Sequence, residues 1–147
     1  MMTNEDMIDK LNSLIQLDID AVQAYEQALD NIDMMMIRIQ ISDFRDDHQA
    51  HIRNLSALVH ALGGKPTEYA RDFKGFLIEG FTSLRSATGT EGALKAMETN
   101  EKLTNSKYEN ALSWDLTVDA KAQVRENYND ERRHLTYIQQ TLKEHNW

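Results

Sequence analysis

The chain repeats itself without a gap. At a constant offset of 83 residues, Asp18-x6-Tyr25-Glu26-x-Ala28-Leu29 falls on Glu101-x6-Tyr108-Glu109-x-Ala111-Leu112. The same offset pairs Leu11 with Leu94, Leu14 with Met97, Ile41 with Val124, Asp47 with Asp130 and Ile52 with Leu135. It also sets His48 on Glu131 and His51 on His134. Apolar spacing recurs by chance among amphipathic helices. Tyr-Glu-x-Ala-Leu aligned together with a histidine does so far less readily. The chain is therefore read as one helical hairpin present twice, each copy covering the other's apolar face.

Helix is the only regular structure that the residues support. The chain has 147 residues, a single Pro and six Gly, and its long stretches of Leu, Ile, Met, Ala, Glu, Gln and Lys are helix formers. Strand-like alternation of β-branched residues is absent. A first helix is expected from about Asn4 to Asn31, and a turn at Asp33–Met35 leads into a second that ends at Leu62. Gly63-Gly64-Lys65-Pro66 stops the second helix, with glycine supplying a left-handed cap and proline forbidding continuation. The crossover, 63–89, carries a helical stripe of Tyr69, Phe73, Phe76, Leu77, Phe81 and Leu84. A third helix is expected from Thr90 to Trp114, and a fourth after Thr117, a suitable N-cap. The short links make each half an antiparallel hairpin, and the long crossover returns along the bundle, so the second and third helices run parallel. The whole of 1–147 is expected to form a single domain.

Composition narrows the function. A net charge of −8 with no Lys/Arg cluster disfavours nucleic acid. The acidic, polar start has no secretory-signal pattern, and no apolar run reaches the roughly 20 residues of a membrane span. A cytoplasmic protein is expected. With no Cys, any metal must be held by His, Asp and Glu, a donor set that suits iron, manganese or zinc.

Six residues of that kind lie on core-facing stripes. The second helix reads Ile41, Phe44, His48, His51, Leu55, Leu58, Leu62, and the fourth reads Val124, Asn127, Glu131, His134, Ile138. These three- and four-residue steps mark a buried seam. Asp18 sits between Leu14 and Tyr25 on the first helix, and Glu101 between Met97 and Tyr108 on the third. Counted from the two hairpin turns, all six lie about 14 to 19 residues along their helices, which at ~1.5 Å per residue is within about one turn of a common level. Singly, a Glu-x-x-His or a His-x-x-His is commonplace on a helix, and Tyr25 and Tyr108 read equally well as core tyrosines. One offset and one level together point to a metal site of Asp18, His48, His51, Glu101, Glu131 and His134. Without metal, the three carboxylates are expected to be protonated or solvated by trapped water.

This constellation resembles the ferritin-like superfamily of ferritins, bacterioferritins and rubrerythrins, over almost the whole chain. Members carry one Glu on each of two helices and a Glu-x-x-His on each of the other two, around two metals. The first and third helices of the family often carry Glu-x6-Tyr, matched here by Asp18-x6-Tyr25 and Glu101-x6-Tyr108. Glu131-Arg132-Arg133-His134 supplies the last Glu-x-x-His. The helical crossover looks most like a stress-associated bacterial branch. Two departures stand out: Asp18 replaces the usual Glu, and His48-Gln49-Ala50-His51 puts histidine where the bridging Glu belongs. One imidazole nitrogen binds one metal, so an asymmetric pair or a single tight metal is an expected consequence, with Asp47 as a substitute ligand. Asp20 is a competing choice to Asp18.

The resemblance implies a fold, an all-α ferritin-like four-helix bundle, and a chemistry. Two iron ions would react with O2 or peroxide, as in a ferroxidase or a peroxide-reducing enzyme, with Tyr25 and Tyr108 as outer hydrogen-bond donors or electron relays. Manganese or zinc are the alternative metals. The rival reading is a non-enzymatic stress-associated bundle that acts through a partner. Met34-Met35-Met36 reads as a hydrophobic hairpin end or subunit contact, Glu26 and Glu109 as solvated, and surplus apolar surface as the seam of a homo-dimer or higher homo-oligomer.

Overall fold

Leucine, isoleucine and alanine at three- and four-residue spacing build four helices in the computed structural model, which describes residues 2–68, 84 and 87–147. They are α1 (Asn4–Leu29), α2 (Met35–Ala61), α3 (Gly89–Ala111) and α4 (Val118–Glu144). No strand occurs among the described residues. The fold is an all-α four-helix bundle. No helix among the described residues is long and apolar enough to cross a membrane.

Local chemistry sets the helix ends. Thr3 and Thr117 accept hydrogen bonds from Asp6 N and Ala120 N and cap α1 and α4. At the end of α2, Gly63 takes φ +84°, Gly63 N donates to His60 O, and Gly64 N donates to Val59 O. That is the Schellman arrangement, and it needs a residue that tolerates the left-handed region. The third helix stops three residues short of the expected Trp114. Ser113 N and Trp114 N bond back only three residues, to Asn110 and Ala111, so the chain tightens into turns there. The aromatic stripe Tyr69, Phe73, Phe76, Leu77 and Phe81 lies outside the described residues; Leu84, at its end, is buried in the core cluster.

The order of contacts gives the topology. The α1 backbone packs against α2 and α3, and that of α4 against α3 and α2, while the diagonal backbones stay apart. Tyr25 meets Glu101 and Tyr108 meets Asp18, so α1 and α3 run antiparallel. His51 meets Asp130 and His134 meets Asp47, so α2 and α4 are antiparallel too. Within each hairpin the short turn imposes the same sense, which leaves α2 and α3 parallel. The two turns lie at opposite ends of the bundle. Asp33, beyond α1, accepts from the Thr90 hydroxyl, and Lys10 lies over the Trp114 ring at the other end.

The axis is apolar at both ends and polar in the middle. Leu11, Leu14, Leu55, Val59, Ala111 and Val124 fill one half, and Ala28, Ile37, Ile41, Leu94 and Met97 fill the other. Between them lies a belt of buried Asp, Glu, His and Tyr. The Met34–Met36 end is exposed, Met35 and Met36 at 68% and 78%. Glu26 and Glu109 are exposed, as expected of solvated helix residues.

Candidate metal centre

Each helix contributes to the polar belt from one stretch of its inner face. From α1 come Asp18 and Tyr25, from α2 His48 and His51, from α3 Glu101 and Tyr108, and from α4 Glu131 and His134. All eight are buried. The structure thus brings all six expected acid and histidine residues together.

They form two groups with two members in common. Asp18, His48, His51 and Glu131 make one group, and His48, Glu101, Glu131 and His134 make the other. Within each, the ligand-type atoms lie within 4.8 Å of one another. In the first group, Asp18 Oδ1 is 2.7 Å from His48 Nδ1 and 3.1 Å from His51 Nδ1. Glu131 Oε1 is 3.3 Å and 3.7 Å from the same two nitrogens. In the second, Glu101 Oε1 is 3.4 Å from His48 Nε2 and 3.6 Å from His134 Nδ1. Glu131 Oε2 is 3.2 Å from His134 Nδ1. Glu131 therefore turns one oxygen to each group.

A second set of side chains holds these groups in place, and it obeys the repeat. Tyr25 donates to Glu101 Oε1 and Tyr108 to Asp18 Oδ2, each at 2.5 Å, so each tyrosine serves the acid of the other hairpin. His51 Nε2 lies 2.8 Å from Asp130 Oδ2, and His134 Nε2 lies 2.8 Å from Asp47 Oδ2. These bonds leave Nδ1 of both rings facing inward. Arg133 then ties the outer pair together, at 2.8 Å from Asp47 and 3.1 Å from Asp130. Phe44 stacks on the His134 ring at 4.2 Å.

Asp47 does not stand in for a ligand at His48. It faces outward across the α2/α4 seam, on His134 and Arg133. Its role, and that of Asp130, are what the sequence reading missed. The signal was present: both aspartates align under the repeat and directly precede His48 and Glu131. Thr104 was missed as well; its hydroxyl donates to Glu101 Oε2 at 3.1 Å. Asp20 joins neither group, and its carboxylate accepts from Gln16 Nε2 at 3.0 Å.

Without a cation, the belt balances its charge with protons on histidine rather than on all three acids. Burial opposes the charged form of His48, His51 and His134, but the surrounding carboxylates outweigh it. They raise His51 to about 9, His134 to about 10 and His48 well above its usual value. Burial pushes Asp18 up, yet His51 and His48 more than offset it and hold the group low. Burial likewise opposes Glu101, and His134 and His48 hold it well below the usual range. Glu131 alone moves the other way, to about 7, through burial and the nearby Glu101 charge. The expectation that all three acids take up protons is corrected accordingly: only Glu131 is driven toward its neutral form, because burial and the Glu101 charge outweigh its imidazole neighbours, whereas the histidines outweigh burial at Asp18 and Glu101.

The belt also holds polar atoms that the protein itself does not satisfy. Glu131 Oε1, Glu131 Oε2 and His134 Nδ1 are fully buried and make no hydrogen bond. Buried acceptors and donors are rarely left in that state. Glu131 Oε1 lies beside the imidazole nitrogens of the first group, and Glu131 Oε2 and His134 Nδ1 lie beside each other in the second, where bound cations would satisfy them. The residues present fit divalent metal: carboxylate oxygens, imidazole nitrogens, two residues common to both groups, and an outer layer that fixes ring orientation.

Fold and site together define an all-α four-helix bundle with a buried Asp/Glu/His cluster able to hold metal. The chain belongs to the family described as Domain of unknown function (DUF2383), whose model matches residues 6–113. The match runs from the first turn of α1 to just past α3, so it takes in Asp18, His48, His51 and Glu101 and stops short of Glu131 and His134. No curated protein matches the chain.

Proposed function

We propose that this protein is a ferritin-like metalloprotein whose belt holds two iron ions for reaction with O2 or peroxide, in iron oxidation or peroxide removal. One observation carries the reading: two four-residue groups share His48 and Glu131, and the orphaned atoms of Glu131 and His134 are among the donors of those groups. Asp18, His51, Glu101 and His134 each serve one group, and Glu131 bridges them with its two oxygens.

A pair of Fe(II) ions bound here would supply the electrons that reduce O2 or peroxide. The chain's own contribution is geometric and electrostatic. Asp18, Glu101 and Glu131 offset cation charge in a site closed to bulk water. Asp47 and Asp130 hold His134 and His51 with Nδ1 inward. Tyr25 donates to Glu101 Oε1, the oxygen nearest His48, and Tyr108 donates to Asp18 Oδ2, which leaves Oδ1 facing the cluster. Their phenols are pushed well above the ordinary range by burial and the adjacent acids, so they stay protonated as donors.

The test is anaerobic Fe(II) titration followed by oxygen. Two Fe(II) per chain, then rapid O2 or peroxide consumption with oxidation of the bound iron, is the expected result. Binding of two ions with no consumption of either oxidant would sink the redox reading and favour zinc or manganese in a structural site. Absence of stoichiometric binding by Fe(II), Mn(II) or Zn(II) would sink the metal centre and favour the interaction-protein reading.

A further inference from the structure

His48 stands where the resemblance calls for a bridging carboxylate, and its placement shows how a histidine could do that work. The ring is fully buried, set among Tyr25, His51 and His134, whose ring centroids lie 5.2, 5.5 and 5.2 Å away. Its two nitrogens face different groups. Nδ1 lies 2.7 Å from Asp18 Oδ1 and 3.3 Å from Glu131 Oε1. Nε2 lies 3.4 Å from Glu101 Oε1.

Counting donors decides what this means. The first group offers Asp18, His51 and Glu131 Oε1, and the second offers Glu101, His134 and Glu131 Oε2. Each has three protein donors of its own. A fourth is available to both only when His48 is counted twice, once per nitrogen. Four donors is the usual protein complement of a closed site for an ion such as zinc.

We infer that His48 is a shared ligand, giving Nδ1 to the metal beside Asp18 and Nε2 to the metal beside Glu101. With both nitrogens coordinated, the second ion takes the place of the remaining ring N–H proton, which leaves to solvent. The ring becomes a bridging imidazolate. No oxidation is involved. Substitution of the bridging carboxylate then keeps two strong metal positions instead of abolishing one. This inference rests on the two-metal reading above and specifies how the pair is joined.

Anaerobic Co(II) titration of the full chain, followed by calorimetry and visible absorption, tests it. Asp18→Asn and Glu101→Gln first mark which binding event belongs to which group. His48→Ala is expected to weaken both events by at least about tenfold. His48→Asn retains a side-chain donor near the Nδ1 position and should spare the Asp18 event. His48→Gln retains one near Nε2 and should spare the Glu101 event. If His48→Ala does not fold, as judged by circular dichroism, the two amide variants decide alone. Two Co(II) in the wild type with only one event weakened by His48→Ala, or the same event weakened in both amide variants, overturns the shared ligand and leaves the two-metal centre standing. Fewer than two Co(II) per wild-type chain overturns the two-metal centre itself.

Discussion

His134 Nε2 and Asp47 Oδ2 lie 2.8 Å apart, although Asp47 sits in the first hairpin and His134 in the second. The repeat provides the mirror contact, His51 to Asp130, at the same distance. Each aspartate therefore orients the histidine of the other hairpin, and the centre cannot form within one hairpin alone. If the rings need this support, Asp47→Asn and Asp130→Asn should each lower metal affinity by roughly 10- to 100-fold while the helical content is kept. Competition against a chelating dye measures it. Affinities within twofold of the wild type in both variants would show that the rings hold their orientation unaided.

Acidity gives a second prediction. In the metal-free protein, His51 and His134 are raised to about 9 and about 10, against about 6.5 unfolded. A raised histidine stabilises the fold fully below its unfolded value, and the gain is lost as pH climbs through the folded value. Glu131, raised to about 7, acts in the same sense from about 4.5 upward. Asp47, lowered to about 2, stabilises above its usual value and loses that gain only in strong acid. The melting temperature of the chelator-treated protein should thus fall as pH rises from 6.5 to 10. A melting temperature that rises over that window would contradict the histidine-centred charge balance.

Metal binding must displace those same protons, so affinity should run opposite to metal-free stability. Dissociation constants for Zn(II) or Mn(II) should tighten steadily from pH 6 to pH 9, with protons released into the buffer. Calorimetry in two buffers of different ionisation enthalpy counts them. Binding that is independent of pH would place the metal away from these rings.

A cation that satisfies the orphaned atoms should also stabilise the fold. At a hundredfold excess over the dissociation constant, mass action contributes about 2.7 kcal/mol. The double variant Glu101→Gln with Glu131→Gln should lose most of that gain, because it removes the shared carboxylate and the second group's own, and leaves Asp18 as the one acid of the six. Equal upward shifts of melting temperature in the wild type and the double variant would rule out the belt as the site.

The tyrosines test the outer hydrogen bonds. Tyr108→Phe strips the donor from Asp18 Oδ2 and also leaves the Asn127 amide without its acceptor. Tyr25→Phe strips a donor from Glu101 only, and Glu101 keeps Thr104. Each unsatisfied buried group costs about 1–3 kcal/mol, so both variants should be less stable than the wild type, Tyr108→Phe the more so. Urea denaturation without metal gives the order; a reversed order would show that the two phenols are not doing what their contacts indicate.

Much of this was legible in the residues. The repeat and the three- and four-residue steps specified a bundle of two hairpins, and Thr117 and Gly63 marked helix ends where the backbone later placed a cap and a positive φ. The same periodicity put Asp18, His48, His51, Glu101, Glu131 and His134 on inward faces at one depth, because a helix converts sequence distance directly into height and angle. Periodicity carries no information across the gap between helices. Which acid faces which ring depends on how far apart the backbones stand and how each side chain turns. Only the packed bundle could show Asp47 reaching past His48 to His134, His48 presenting one nitrogen to each group, and Asp18 and Glu101 keeping their charge while the histidines hold protons.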